Sequence, residues 1–416
     1  MKIGRLLAVV LSLIMIASTV TACGGSSFTP KADEAGWYAT WGTAMYDASA
    51  DETPFNPSLK ENTVRQQIRV SIGGDKIKLT FSNIRGDIPV QIEKAHIAKM
   101  VESGTNSAID ILTDTVITFG GSESVTIEPG KTVTSDEIDF SFDALDNLAV
   151  SLKMGKYVGG TITAHRGARA NTWVVEGDHV SDETISGGKI MTSWYYLEEV
   201  AVWAEAGTKT IVCLGDSITD GANTTTNKFT RWSDELARQL QANGYENISV
   251  VNKGIGGNSI FGGLGTAAKD RFYHDVLEVE GVRYCIVMIG INDIGYTNED
   301  ISQSLIDQYK IMIDACHENG IAIYGATLTP IKNSGYYSEL HEQIRVKLNE
   351  FIRSEDSGFD GVIDFDAALA DPADAEKMSD EYVEGWRDYL HPGDLGYTVM
   401  GETAFEALDK IWSAEE

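Results

Sequence analysis

Four short stretches of the 416-residue chain hold residue types that could carry out acyl transfer. In Gly215-Asp216-Ser217 a serine sits on a glycine-flanked turn, where its hydroxyl can stand exposed, and in Asp388-Tyr389-Leu390-His391 a carboxylate precedes an imidazole by three residues. A serine hydroxyl is a poor nucleophile until a base takes its proton, and an imidazole titrates near neutrality. Ser217 is therefore the candidate nucleophile and His391 the candidate general base, able to return the proton to a leaving alcohol. Asp388 can accept from the other ring nitrogen, fixing the tautomer and stabilising the imidazolium. Attack on an ester carbonyl also creates an oxyanion, which needs donors already aimed at it. The remaining two stretches, Asn252-Lys253-Gly254-Ile255-Gly256-Gly257-Asn258 and Gly290-Ile291-Asn292-Asp293, offer glycines for close backbone approach and a neutral amide donor.

Other chemistry finds less support. Asp216, Asp220 and Asp293 suit caps of turns or helix starts better than acid-base work. Ser217 lacks the second glycine of a Gly-x-Ser-x-Gly elbow. Gly263-Leu264-Gly265-Thr266-Ala267-Ala268 imitates a dinucleotide loop but follows its strand after a long detour, and neither a phosphate loop nor a His-Glu-x-x-His zinc motif is present. Cys213, Cys285 and Cys316 are widely spaced without a Cys-x-x-Cys pair, so neither a metal nor a cofactor is expected. A Cys213–Cys285 disulfide is conceivable between neighbouring strands, although buried free thiols fit better. His96, His165, His274 and His341 have no motif context and read as surface or satisfied core residues.

Two patterns of periodicity must position these residues. From Gly36 to about Ala204 short period-two segments dominate. Ile68, Val70 and Ile72 followed, after Gly73-Gly74-Asp75-Lys76, by Ile77, Leu79 and Phe81 suggest a hairpin. Further strands are expected near 90–97, 116–119, 125–127, 138–142, 148–152 and 172–175, together making an antiparallel β-sandwich over 36–204. From Thr208 apolar strands (210–214, 248–251, 284–289, 322–326, 362–365) alternate with helices near 230–242, 301–317, 338–353 and 395–411, the rhythm of a parallel α/β domain spanning 205–416. In the third helix Leu340, Ile344, Lys347, Leu348 and Ile352 form the expected core stripe. Open parallel sheets bind ligands outside the carboxyl ends of their strands, where three of the four stretches fall.

In order, these stretches resemble the Gly-Asp-Ser, glycine, Gly-x-Asn-Asp and Asp-x-x-His blocks of the SGNH (GDSL-like) hydrolases. The resemblance spans the second domain, with less specific cues in Trp37-Tyr38-Ala39-Thr40-Trp41 and 65–83 for a β-rich leader domain. It implies a flavodoxin-like three-layer α/β/α domain preceded by a jelly-roll-like sandwich. It further implies a serine esterase with Ser217, Asp388 and His391 as catalytic residues. The oxyanion donors would then be the Ser217 N–H, the Gly257 N–H and the Asn292 amide, with Gly254 and Gly256 as alternative glycines. Acylated carbohydrate, acetylated above all, is the expected substrate. A lipase, thioesterase or arylesterase and a non-catalytic glycan-binding protein are the other readings. Trp37, Trp41 and Trp173 could stack on sugars but read more readily as core.

Composition sets outer bounds. A net charge of −29, from 62 acidic against 33 basic residues, argues against nucleic acid as a partner and gives a mild preference for neutral or cationic substrates. Residues 1–22 read as an export leader, with Lys2 and Arg5 before an apolar run and Val20-Thr21-Ala22 before Cys23. That site resembles a bacterial lipobox, which implies an exported protein lipidated at Cys23 and tethered outside the cell by the flexible segment 23–35. Ordinary secretion is the alternative.

Overall fold

The computed structural model describes residues 31, 33–101 and 106–415; the leader 1–22 and Cys23 lie outside them. Two antiparallel sheets face each other over one core in the first half. One runs Gly36–Gly42, Leu197–Ala204, Gly74–Ser82, Thr132–Thr134, with Ile138–Phe142 also paired to Gly74–Ser82. The other runs Lys189–Met191, Thr172–Glu176, Asn62–Arg69, Asn147–Met154, Val90–Lys99, Thr115–Ile117, with Val125–Ile127 joined to Val90–Lys99. Val64, Ile68, Val150 and Leu152 from one sheet meet Ile77, Leu79, Phe81 and Val202 from the other in a single apolar cluster. Of the tryptophans, Trp41 and Trp173 are buried in this half, whereas Trp37 is half-buried against the exposed Trp203.

One expectation is corrected. Asn62–Arg69 and Gly74–Ser82 do not form a hairpin; they lie in opposite sheets, and residues 70–73 carry the chain across. The reason is that period-two alternation specifies which face of a strand is buried and not which strand lies beside it. Ile68 and Ile77 reach the same core from opposite sides.

In the second half the strands Ile248–Gly254, Lys209–Gly215, Val282–Met288, Ala322–Ala326 and Gly361–Ile363 lie side by side in that order, all parallel. In chain order this is 2-1-3-4-5, the flavodoxin-like arrangement, with the switch point beside Lys209–Gly215. Helices Trp232–Ala242 and Asp394–Glu415 pack together, as do Ser302–Glu318 and Glu339–Arg353, and the two pairs cover the sheet. On Glu339–Arg353 the buried stripe is Ile344, Leu348 and Ile352. Lys347 departs from the expected stripe, because it sits at its flank and its ammonium reaches Asp300, 2.5 Å away in solvent. Cys213, Cys285 and Cys316 are buried free thiols, and among the described residues no helix is long and apolar enough to cross a membrane.

The sheet edge next to the switch point is covered. Ile248–Gly254 would present unpaired backbone groups, a template for aggregation, but Gly36–Gly42 packs along it. Ser249 Oγ donates to Ala39 O at 2.6 Å, Val250 N donates to Ser71 Oγ at 3.0 Å, and Ala39 joins the α/β core. Residues 205–416 produced alone are therefore expected to aggregate, whereas the two-part protein stays monodisperse in size-exclusion chromatography. A soluble, cooperatively folding fragment would contradict this account of the edge.

Candidate active site

At the carboxyl end of Lys209–Gly215 the chain enters a single helical turn, Ser217–Asp220. Asp216 opens the turn by accepting Ile218 N at 3.0 Å, and Gly221 closes it in the left-handed region at φ 87°. Ser217 is thus the first residue of the turn, whose N–H has no partner inside it. The turn lies so close to Ile248–Gly254 that a Cβ at Gly254 would fall 2.4 Å from Asp220 N.

His391, 174 residues downstream, brings Nε2 to 2.8 Å from Ser217 Oγ. Its Nδ1 lies 2.7 Å from Asp388 Oδ2. An ionised carboxylate can only accept, so Nδ1 carries the proton and Nε2 is left to accept from the serine. The Asp-x-x-His unit is a self-capped turn: Asp388 Oδ1 also accepts Leu390 N at 3.0 Å and His391 N at 2.9 Å. Burial pushes the Asp388 carboxyl up, but the bonds from the His391 ring and the two N–H groups outweigh it and hold the group at about 2.

The unit is fastened to the nucleophile's side by Asn223, which has no motif signal in the sequence. Its Nδ2 donates to Glu384 O at 2.8 Å, Pro392 O at 3.1 Å and His391 O at 3.3 Å, while Oδ1 accepts Trp386 N at 3.0 Å. The Trp386 ring stands edge-on to His391, centroids 5.3 Å apart.

Gly257 and Asn292 face the same cleft as Ser217 and His391. Gly257 adopts φ 77°, open to glycine at no steric cost. The Asn292 amide is already oriented: Nδ2 donates to Asn258 O at 2.7 Å and Oδ1 accepts from Tyr336 OH at 2.8 Å, leaving the second N–H of the amide for the cleft. Tyr336 is another residue that periodicity could not single out. The alternative glycines are otherwise occupied, since Gly254 N donates to Asn252 Oδ1 and Gly256 N to Asp220 Oδ2 at 3.0 Å. Asp293 ties the glycine loop down by accepting Ile260 N and Phe261 N, as a capping residue would. Buried Arg271 spans the strand ends, donating to Gly215 O, Lys253 O and Asn258 Oδ1.

Asp220 does more than cap. Besides Gly256 N it binds His165, whose Nε2 is 2.9 Å from Asp220 Oδ1 and whose Nδ1 is 2.8 Å from Ala44 O. Burial pushes the Asp220 carboxyl up, but His165 beside it outweighs this, with help from Arg169 and Arg231, and holds it below the usual range. His165 is a satisfied core residue, as its lack of motif context suggested, yet it comes from the first half of the chain, on the strand Thr163–Arg166 of a small three-stranded sheet with Tyr46–Asp47 and Ser193–Tyr195, and it is linked to the glycine loop through Asp220.

The cleft around these groups, about 460 Å³, has mixed polar and apolar walls built from both halves of the chain, with Glu52, Arg166, Arg169 and Ser193 lining it alongside Ser217, Asn292 and Trp386. Such an arrangement can activate a hydroxyl and stabilise negative charge on a carbonyl oxygen. Away from it, Glu198, His274 and Asp275 bring three possible metal-ligand atoms within 4.8 Å of one another, but His274 bonds Glu198 and Asp275 pairs with Arg271.

Residues 213–399 match the model of the GDSL-like lipase/acylhydrolase family. Similar solved structures include a lipase/acylhydrolase from Enterococcus faecalis (21% identity, 49% of this chain and 96% of that one, TM-score 0.40). A member of the lipolytic protein G-D-S-L family from Veillonella parvula is also similar (22%, 49% and 100%, TM-score 0.38). So is an acetylxylan esterase from Geobacillus stearothermophilus (18%, 48% and 94%, TM-score 0.37). No curated protein matches the sequence significantly.

Loosening the splint should cost activity more than stability: Asn223→Ala is expected to lower kcat by about tenfold, because small misplacements of a catalytic group are expensive, with little change in KM or melting temperature. Wild-type kcat in this variant would remove Asn223 from the positioning of His391. With Asp388 ionised down to about pH 2, a loss of activity on mild acidification cannot come from that carboxylate; steady-state rates should decline well above its titration, as a base that must be neutral to accept the serine proton requires, with Asp216, pushed up to about 7 by burial, able to add to the fall. A profile flat to pH 4 would exclude His391 as the base.

Proposed function

We propose that the chain hydrolyses carboxylic esters through an acyl-enzyme on Ser217, with short acyl groups on carbohydrate as substrates, a reading supported by the match of residues 213–399 to the GDSL-like lipase/acylhydrolase family model. The observation that carries the reading is the continuous line Ser217 Oγ, His391 Nε2, His391 Nδ1, Asp388 Oδ2, with steps of 2.8 and 2.7 Å. His391 accepts the serine proton as Oγ attacks the ester carbonyl, and the Ser217 and Gly257 N–H groups with the Asn292 amide receive the oxyanion. The intermediate collapses, the alcohol departs with the proton from His391, and water, activated by the same imidazole, releases the acid.

Substrate class rests on the character of the cleft. Its walls mix polar side chains, among them Glu52, Arg166, Arg169 and Ser193, with apolar surface from Met191, Ala222 and Trp386, and the polar groups could hydrogen-bond a hydroxylated alcohol. Trp386, 55% exposed, adds an aromatic surface to the cleft against which a sugar ring could pack. Lipase, thioesterase and arylesterase readings share the chemistry and differ in this lining. The leader and Cys23 support export and lipid anchorage outside the cell. Metabolic labelling with a fatty-acid analogue, lost in Cys23→Ala, would test the anchor.

Wild-type protein should turn over p-nitrophenyl acetate and release acetate from acetylated xylan faster than it cleaves long-chain esters, and Ser217→Ala should abolish both. Equal rates in wild type and Ser217→Ala would end the enzyme reading in favour of a glycan-binding protein. Asn292→Ala is expected to lower kcat by about a hundredfold or more, the typical cost of one oxyanion donor; unchanged kinetics would remove Asn292 from that role.

A further inference from the structure

Most charged groups in the cleft already have partners. Arg166 Nη1 lies 3.2 Å from Glu52 Oε1, and Asp220 holds His165 and Gly256. Asp51 stands exposed at the rim. Arg169 differs. It lines the cleft half-buried, its Nε is buried without an acceptor, and among the described residues no carboxylate forms a direct ion pair with it, Asp220 being near enough only to feel its charge. In a chain with 62 acidic residues, a cleft guanidinium that no carboxylate binds directly needs a reason. A donor removed from water without an acceptor is unfavourable until a partner arrives.

The surroundings hold Arg169 in place rather than neutralise it. Its backbone sits at φ 48°, a region uncommon for side-chain-bearing residues. Asn227 N donates to its carbonyl at 2.7 Å, and buried Arg231 Nη2 donates to Ala168 O at 2.5 Å. The guanidinium carbon lies 5.8 Å from the centre of the Trp386 ring, which in turn packs against His391. A guanidinium lining a cleft in this way can offer its terminal N–H groups to two oxygens of one anion.

We infer that Arg169 is an anion-binding residue for the substrate, and that the ester carries a carboxylate or phosphate on its alcohol half. The alcohol half is assigned because His391, one ring away from Arg169, is the group that protonates the leaving alcohol. For what is cleaved this rests on the ester-hydrolase reading; for what is bound it does not. It also reverses locally the preference for neutral or cationic substrates that the net charge suggests.

The test compares kcat/KM of the full-length protein for acetyl esters of glucuronic acid, glucose 6-phosphate and glucose. Wild type should prefer one of the anionic esters over the neutral one by about tenfold or more, the value of a charge-assisted bond. The better of the two anions identifies the group. Arg169→Gln should remove the preference through KM, Arg169→Lys should restore part of it, and added salt should weaken it. No preference in wild type, or an equal loss on all three esters in Arg169→Gln, overturns the proposal. Calorimetric binding of free glucuronate, glucose 6-phosphate and glucose to Ser217→Ala gives a readout independent of turnover. Tighter binding of an anion supports the proposal even if wild type cleaves none of the esters, which would then fail the hydrolase reading alone. Equal or absent binding of all three counts against the anion site.

Discussion

The buried carboxylate of Asp220 is the joint on which the site's assembly depends. Through two oxygens it ties the turn that begins at Ser217, the glycine loop that carries Gly257, and the strand Thr163–Arg166 of the first half, which carries His165. A paired buried charge adds little net stability over an apolar substitute, but breaking it by removing one partner costs about 3–5 kcal/mol. Its value is therefore in geometry: sandwich and parallel sheet cannot move independently without exposing an uncompensated charge. The hydroxyl of Ser249 and the seal of Gly36–Gly42 along the sheet edge extend the same constraint.

On the other side of the cleft the constraint is mostly local. Asp388 positions His391 through three bonds within four residues, so the acidic partner and the imidazole form one unit however the remaining chain folds. What the unit needs from the fold is its placement over Ser217, and Asn223 supplies it by clamping the carbonyls of Glu384, His391 and Pro392. The line Ser217–His391–Asp388 thus comes from the α/β half, whereas the first half adds charged and polar side chains to the walls. A chain of net charge −29 can in this way line its cleft with a cation, Arg169, that no carboxylate binds directly.

The parallel strands, the four long helices and the strand ends that carry Ser217, Gly257 and Asn292 were legible because apolar periodicity reports burial directly and because active loops follow strands. The Asp388–His391 pairing was legible for the same kind of reason, since a three-residue spacing closes a turn by itself. Pairing in the sandwich was not. Strands with the same alternation fit either sheet, and the step from Asn62–Arg69 to Gly74–Ser82 reads equally as a hairpin or a crossing. Lys347 shows the limit of helical spacing, because a residue at the flank of a stripe is placed by its ion partner as much as by the period.

His165, Asn223, Tyr336 and Arg169 carried no signal in one dimension. Each acts through a partner dozens or more residues away, and nothing in the spacing of a lone polar residue encodes that distance. By itself the amino-acid sequence determined the order of elements and which short blocks face a common sheet end, since both follow from local burial and turn chemistry. Only the tertiary structure decided which side chains meet across the seam and which charge is left without a partner, because those outcomes depend on long-range packing of two separately patterned halves.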